Sequence, residues 1–140
     1  MKGISAVILF IFILIFQSNI APNERMVAQL DSIWETDQGM RMELIKLQQQ
    51  GKTNTTEFRE LIIKLKTQDS VNRQKVFKIL QNPWPENLNL QQNQTFFLVV
   101  QHADLEAQKK YLPVMESAVK EGKTLASNLA LLKDRIALRE

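Results

Sequence analysis

The chain has one histidine, His102, placed directly after the apolar run Phe96-Phe97-Leu98-Val99-Val100 and inside the tetrad Gln101-His102-Ala103-Asp104. Histidine is the side chain whose unperturbed pKa lies near neutrality, so an imidazole between an amide and a carboxylate is the first candidate for proton or metal chemistry. Other polar groups stand at spacings that could join it. Asp37 and Arg41 lie one helical turn apart with Gln38 beside them, Asp69 and Asn72 are i and i+3, and Asp134 and Arg135 are neighbours near the end. Converging, these residues would line a polar cleft with arginine, carboxylates, amides and one imidazole. Trp84, between Pro83 and Pro85, is held by a rigid loop, where an exposed ring would suit sugar or peptide stacking.

Each group also has a structural use. A lone histidine after an apolar helix more often serves as a hydrogen-bonded structural residue than as a catalyst. Asp37 and Arg41 make a natural ion pair, Asp69 and Asn72 a natural helix start or cap, and Trp84 a plug at a core edge. Gln101 and Asp104 share a helical face, whereas His102 and Asp104 point in nearly opposite directions if the helix continues, a geometry in which they cannot bind one metal together. A helix ending at Ala103 relaxes that objection but spends the Asp104 carboxylate on a cap. Asp134 and Arg135 face different ways on one helix. No serine or cysteine nucleophile stands in a recognisable setting, and the sequence has no paired-histidine metal motif. No cofactor is implied.

The segments that must position these residues read as helices. Asn23 is the expected N-cap of the first, with Met26, Val27, Leu30, Ile33 and Trp34 at three- and four-residue spacing, continuing through Met40, Leu44 and Leu47 past Gly39 as a candidate bend. After a polar connector containing Gly51, Asn54 and Glu57 suggest a capping box before Phe58, Leu61, Ile62 and Leu65, and Asp69 to Leu80 carries Val76, Phe77 and Leu80 on one side. Phe96 to Val100 would suit a buried strand but has no hairpin signal near it, so a buried helix from about Leu90 is expected. Asp104 reads as the cap of a helix over 105–121, bent by Pro113 and ended by Gly122, and the last helix covers 124–140 with Leu125, Leu129, Leu132 and Ile136 as its stripe. Two Asn-x-Thr matches, at Asn54 and Asn93, would matter only in a glycosylating host. The expectation is an all-α chain: one domain of about five or six helices over 22–140.

Residues 1–21 read as an address. Lys2 gives a positive start, and Ile4 to Phe16 is an apolar stretch of about 13 residues, within the range of a signal-peptide core and short of the roughly 20 that span a bilayer. Cleavage is expected between Ser18 and Ala21, giving a periplasmic or extracellular protein. The alternative is an uncleaved membrane anchor over residues 4–21. The chain has no cysteine, which excludes disulfides, thiolate metal sites and lipid attachment through an N-terminal cysteine. Its net charge of +3 loses one unit with Lys2. Lysines and arginines are interleaved with acids, without the stripe of bases and aromatics that single-stranded nucleic acid needs, so no nucleic-acid partner is expected.

Asp37-Gln38 with Arg41, Asp69 with Asn72, Trp84-Pro85, Gln101-His102-Ala103-Asp104, Leu112-Pro113 and the stretch from Leu129 to Ile136 together resemble an uncharacterised bacterial family. Its members, often exported proteins of Bacteroidetes, are catalogued as a domain of unknown function. The resemblance covers nearly all of the chain after the leader and implies export and a shared site, but no activity. Family members usually continue with a short tail containing Gly, Lys, Gln and a Tyr-Gly pair. This chain stops at Glu140, so against the family it is either divergent or shortened, and a site using the tail would be incomplete. Two functions remain from the sequence. One is an exported helical binding or interaction module that holds a small ligand or a protein in a polar cleft around His102. The other is a small hydrolase-like enzyme with His102 as general acid or base, oriented by Asp37, Asp69 or Asp134. They part on whether His102 faces a concavity with a carboxylate in hydrogen-bond reach.

Overall fold

Pro22 opens the first helix, where its missing N–H is no loss, and the Glu24 side chain accepts a hydrogen bond from the Ala21 N–H. The computed structural model describes residues 21–140, so the leader and both readings of it lie outside the described residues, apart from Ala21. Five helices follow: α1 (Pro22–Gln49), α2 (Thr56–Ile79), α3 (Leu90–Gln101), α4 (Leu105–Lys120) and α5 (Ala126–Ala137). No strand occurs among the described residues. The chain is an all-α domain, as the periodicities require, and no described helix is long and apolar enough to cross a membrane.

Several boundaries differ from those expected. Asn23 lies inside α1, because Pro22 fixes a helical φ one residue earlier. Gly39 is also interior to α1, exposed and with open space around it, and the helix runs through it without a break. Thr55, not Asn54, caps α2: its Oγ1 accepts from the Phe58 N–H at 3.2 Å. Asp69 and Asn72 start no helix, since α2 is one element from Thr56 to Ile79. Leu125, expected in the apolar stripe of α5, is instead its exposed N-cap residue, and Leu138 to Glu140 lie beyond that helix.

The ends of α1 and α4 are made alike. Gly51 and Gly122 each adopt φ +70°, their N–H groups bonding Gln48 and Val119, while the following Lys52 and Lys123 bond Leu47 and Ala118. This is the paired 5→2 and 6→1 closure that favours glycine at the left-handed position.

At the centre stands α3, which packs against all four other helices. Eight of its twelve residues are buried: Phe96 to Val100 form a continuous apolar run, and the buried Gln92, Asn93 and Thr95 are each hydrogen-bonded. Its start is set by a reciprocal capping box: Asn89 Oδ1 accepts from Gln92 N at 2.8 Å, and Gln92 Oε1 accepts from Asn89 N at 3.0 Å. The main core draws Leu30 and Ile33 from α1, Val76 from α2, Phe96 and Val100 from α3, Met115 from α4 and Leu132 from α5.

Helices α1 and α2 are twice the length of α3, about 42 Å and 36 Å against about 18 Å at 1.5 Å per residue. Their loop-side halves therefore close on a small core of their own, Leu47, Phe58 and Leu61. Between the two apolar clusters, at the level of residues 37–41 on α1 and 68–72 on α2, the hairpin is polar.

Candidate functional site

In that polar layer Arg41 is clamped between two carboxylates. Its Nε and Nη2 donate to Asp37 Oδ2 and Oδ1, each at 2.9 Å, and Nη2 also donates to Asp69 Oδ1 at 2.9 Å. Helical spacing sets the first contact and the pairing of α1 with α2 the second. Gln38 Nε2 donates to Asp37 Oδ2 at 3.1 Å. Asp37 is 2% exposed, so its charge is tolerated only because these partners satisfy it. Burial alone would lower the Arg41 pKa, but hydrogen bonding and attraction from Asp37, with Asp69 adding to them, carry it above its ordinary value. Burial raises the Asp69 pKa, with the Asp37 charge adding to it and Arg41 opposing. Asn72, one turn on, is buried; its Oδ1 accepts from Gln68 Nε2 at 2.9 Å while its Nδ2 has no partner among the described residues.

The second component comes from the α3–α4 junction. α3 ends at Gln101, His102 is its C-cap residue, and Asp104 Oδ1 caps α4 by accepting from Ala107 N at 2.9 Å. The Gln101 carbonyl accepts from Gln108 Nε2 at 2.8 Å, the buried Ala103 packs inward, and its carbonyl accepts from Arg139 Nη1 at 2.9 Å. Three members of the tetrad thus fix the corner through a cap, a small buried side chain and braced carbonyls. The His102 imidazole and the Gln101 side-chain amide are left to face elsewhere.

Both face a pocket of about 360 Å³ between α1, α3 and α5. Arg41, His102 and Arg135 line it together, with amides from Gln38, Gln94, Gln101 and Asn128. Trp34, Phe97 and Leu98 supply apolar wall, and Met42, Ile45 and Leu131 form a rim that is 66%, 46% and 44% exposed. No acidic residue is among the lining residues. Arg135 forms no ion pair among the described residues, and its Nε is buried without a hydrogen-bond partner. Burial holds the His102 pKa down to about 4; Arg41, Arg135 and Arg139 push the same way, and Asp37 opposes them. The imidazole is therefore neutral at physiological pH and makes no side-chain hydrogen bond to a carboxylate among the described residues.

The expected residues divide accordingly. Gln38, Arg41, Gln101, His102 and Arg135 meet at the pocket, and Asp37 and Asp69 hold Arg41 from behind. Asn72 belongs to the polar layer and does not line the pocket. Asp104 is a helix cap. Asp134 is exposed on α5 and does not line the pocket, as the opposite facing of neighbours on a helix requires. Trp84 is a core plug: its Nε1 donates to Asn93 Oδ1 at 2.7 Å and its ring lies 4.6 Å from that of Phe96. Residue reasoning missed the rim. Met42 and Ile45 are apolar, flank Arg41 and fall off the buried stripe of α1, and that mismatch was the available signal. Gln108 and Arg139, which brace the corner, left no signal in spacing.

Among the described residues no group of three or more His, Cys, Asp or Glu could hold a metal ion. Compared with protein-family models, curated proteins and solved structures, the chain finds no match.

Proposed function

We propose that the chain is an exported helical binding module that holds a ligand in the pocket around His102. The observation that carries this reading is the convergence of Arg41, His102 and Arg135 from three helices on one concavity, with a buried guanidinium nitrogen left unbonded. A buried donor without a partner costs about 1–3 kcal/mol, so the Arg135 guanidinium keeps unused hydrogen-bonding capacity at the pocket wall. The volume falls at the small end of ligand pockets. The hydrolase-like alternative gains nothing from the geometry. A general base works best with a pKa near the operating pH, and both oxygens of Asp37 are engaged by Arg41 and Gln38 rather than by His102.

Export rests on the apolar leader over residues 4–16, and kinship with the exported bacterial family of unknown function rests on the motif residues. Both belong to this proposal. Mass spectrometry of the protein from its host is expected to find a new N-terminus between Ser18 and Ala21, whereas intact Met1 in the membrane fraction would establish the anchor instead.

The binding reading is tested by a fragment screen on ¹⁵N-labelled protein with acids, amines and neutral fragments in equal number. Fragments that bind should move amides in 38–45, 94–102 and 128–135. Shifts confined to other surfaces, or none, would contradict it.

A further inference from the structure

The pocket's charge is unbalanced in a way that selects a ligand. Two guanidinium groups and no carboxylate line it, so an ammonium has no counter-charge there. The Arg41 charge is already met by Asp37 and Asp69, which leaves Arg135 as the lining cation without a carboxylate among the described residues. Arg41, Asp37 and Asp69 together carry one net negative charge, so attraction for a single negative charge is local to the Arg135 guanidinium. A dianion such as a phosphate monoester would place its second charge against Asp37 and Asp69 behind Arg41. The planar fork of a guanidinium matches a carboxylate through two parallel N–H···O bonds.

The remaining lining is apolar toward the mouth. Met42, Ile45 and Leu131 account for three of the eight exposed large hydrophobic residues among the described residues, and all three border this one pocket. Singly scattered apolar residues need no explanation, but a cluster around a concavity marks a binding surface.

Resting on the binding reading above, we propose that the ligand is a small monocarboxylic acid with an apolar chain, its carboxylate held by Arg135 beside Arg41 and its chain laid against Met42, Ile45 and Leu131. Charge fixes the head and the rim takes the tail. The apolar rim does not suit the hydroxyls of a sugar, and the two guanidinium groups do not suit a cationic peptide.

The test is an NMR titration of the full protein with octanoate, octanol and octylamine as probes, repeated on Arg135→Gln. Octanoate should bind with shifts in 128–135 and 41–45, about tenfold more tightly than octanol, because a hydrogen-bonded charge contributes roughly a factor of ten or more. Octylamine should be weakest. Arg135→Gln removes no ion pair within the described residues, so it should fold normally and bind octanoate and octanol alike. Equal binding of octanoate and octanol by the unaltered protein, or preference for octylamine, would overturn the acid while leaving the pocket as a binding site. Octanoate binding undiminished in Arg135→Gln would overturn the assignment of the head group. Absence of binding by all three probes would overturn this ligand class, and the fragment screen then decides separately whether the pocket binds anything.

Discussion

At the scale of single residues, His102 sits where its charge is unwelcome, and this has a measurable consequence for stability. Its folded pKa of about 4 lies below the ordinary 6.5, so between those values the unfolded chain binds a proton that the native protein refuses. Stability is then constant above about pH 6.5 and falls as the pH drops toward 4. His102→Gln should fold, match the parent in slope above pH 7 and lose on the order of 2 kcal/mol less between pH 7 and 4, after allowance for partial exposure. The raised Asp69 pKa contributes with the opposite sign but is common to both proteins and cancels. Urea unfolding at a series of pH values measures the difference, and parallel pH profiles would show that the imidazole is solvated. The pairing of Asp37 with Arg41 was legible from their spacing; the addition of Asp69 was not, because it requires the α1–α2 register. His102 itself was legible as a candidate, yet its neutrality follows from burial and then from arginines 61 and 33 positions away in sequence, which no local pattern reveals.

At the scale of elements, caps and apolar stripes account for most of what the chain does. Asp104 capping α4, the helical identity of Phe96 to Val100 and the glycine ending of α4 all follow from local rules, because each depends on residues within a few positions. Asn54 failed as a cap because Thr55, the next residue, offers an equivalent oxygen already in extended backbone geometry. The break expected near Asp69 failed for a different reason. Polar Gln68, Asp69 and Asn72 interrupt the apolar stripe of α2 without ending it, since α1 presents Asp37 and Arg41 at the same level. Such a buried polar layer adds little net stability and instead penalises slipped registers. The start of α3 is the sharpest test of the local reasoning. Asn89→Ala deletes the acceptor of its capping box and should cost about 1 kcal/mol in chemical unfolding with far-UV circular dichroism unchanged at native conditions. A neutral effect would mean that burial of α3 alone fixes where it begins.

For the whole molecule, a cysteine-free chain builds one main core from five helices and still leaves a pocket where Arg135 has no carboxylate partner among the described residues. Helical class and single-domain organisation were readable from periodicity throughout. The pocket was readable only as a list of polar residues, because a concavity is a property of how α1, α3 and α5 meet. Its apolar rim shows in the pattern only as residues off the buried stripes, and nothing local tells that Met42, Ile45 and Leu131 gather around one concavity. Everything proposed for the pocket depends on His102 being buried beside Arg41 and Arg135. Because the chain has a single histidine, one imidazole resonance in a proton NMR pH titration reports it without assignment. The account predicts an imidazole still neutral at about pH 5, with a midpoint near 4. A midpoint at the ordinary 6.5 would place His102 in open water and contradict it.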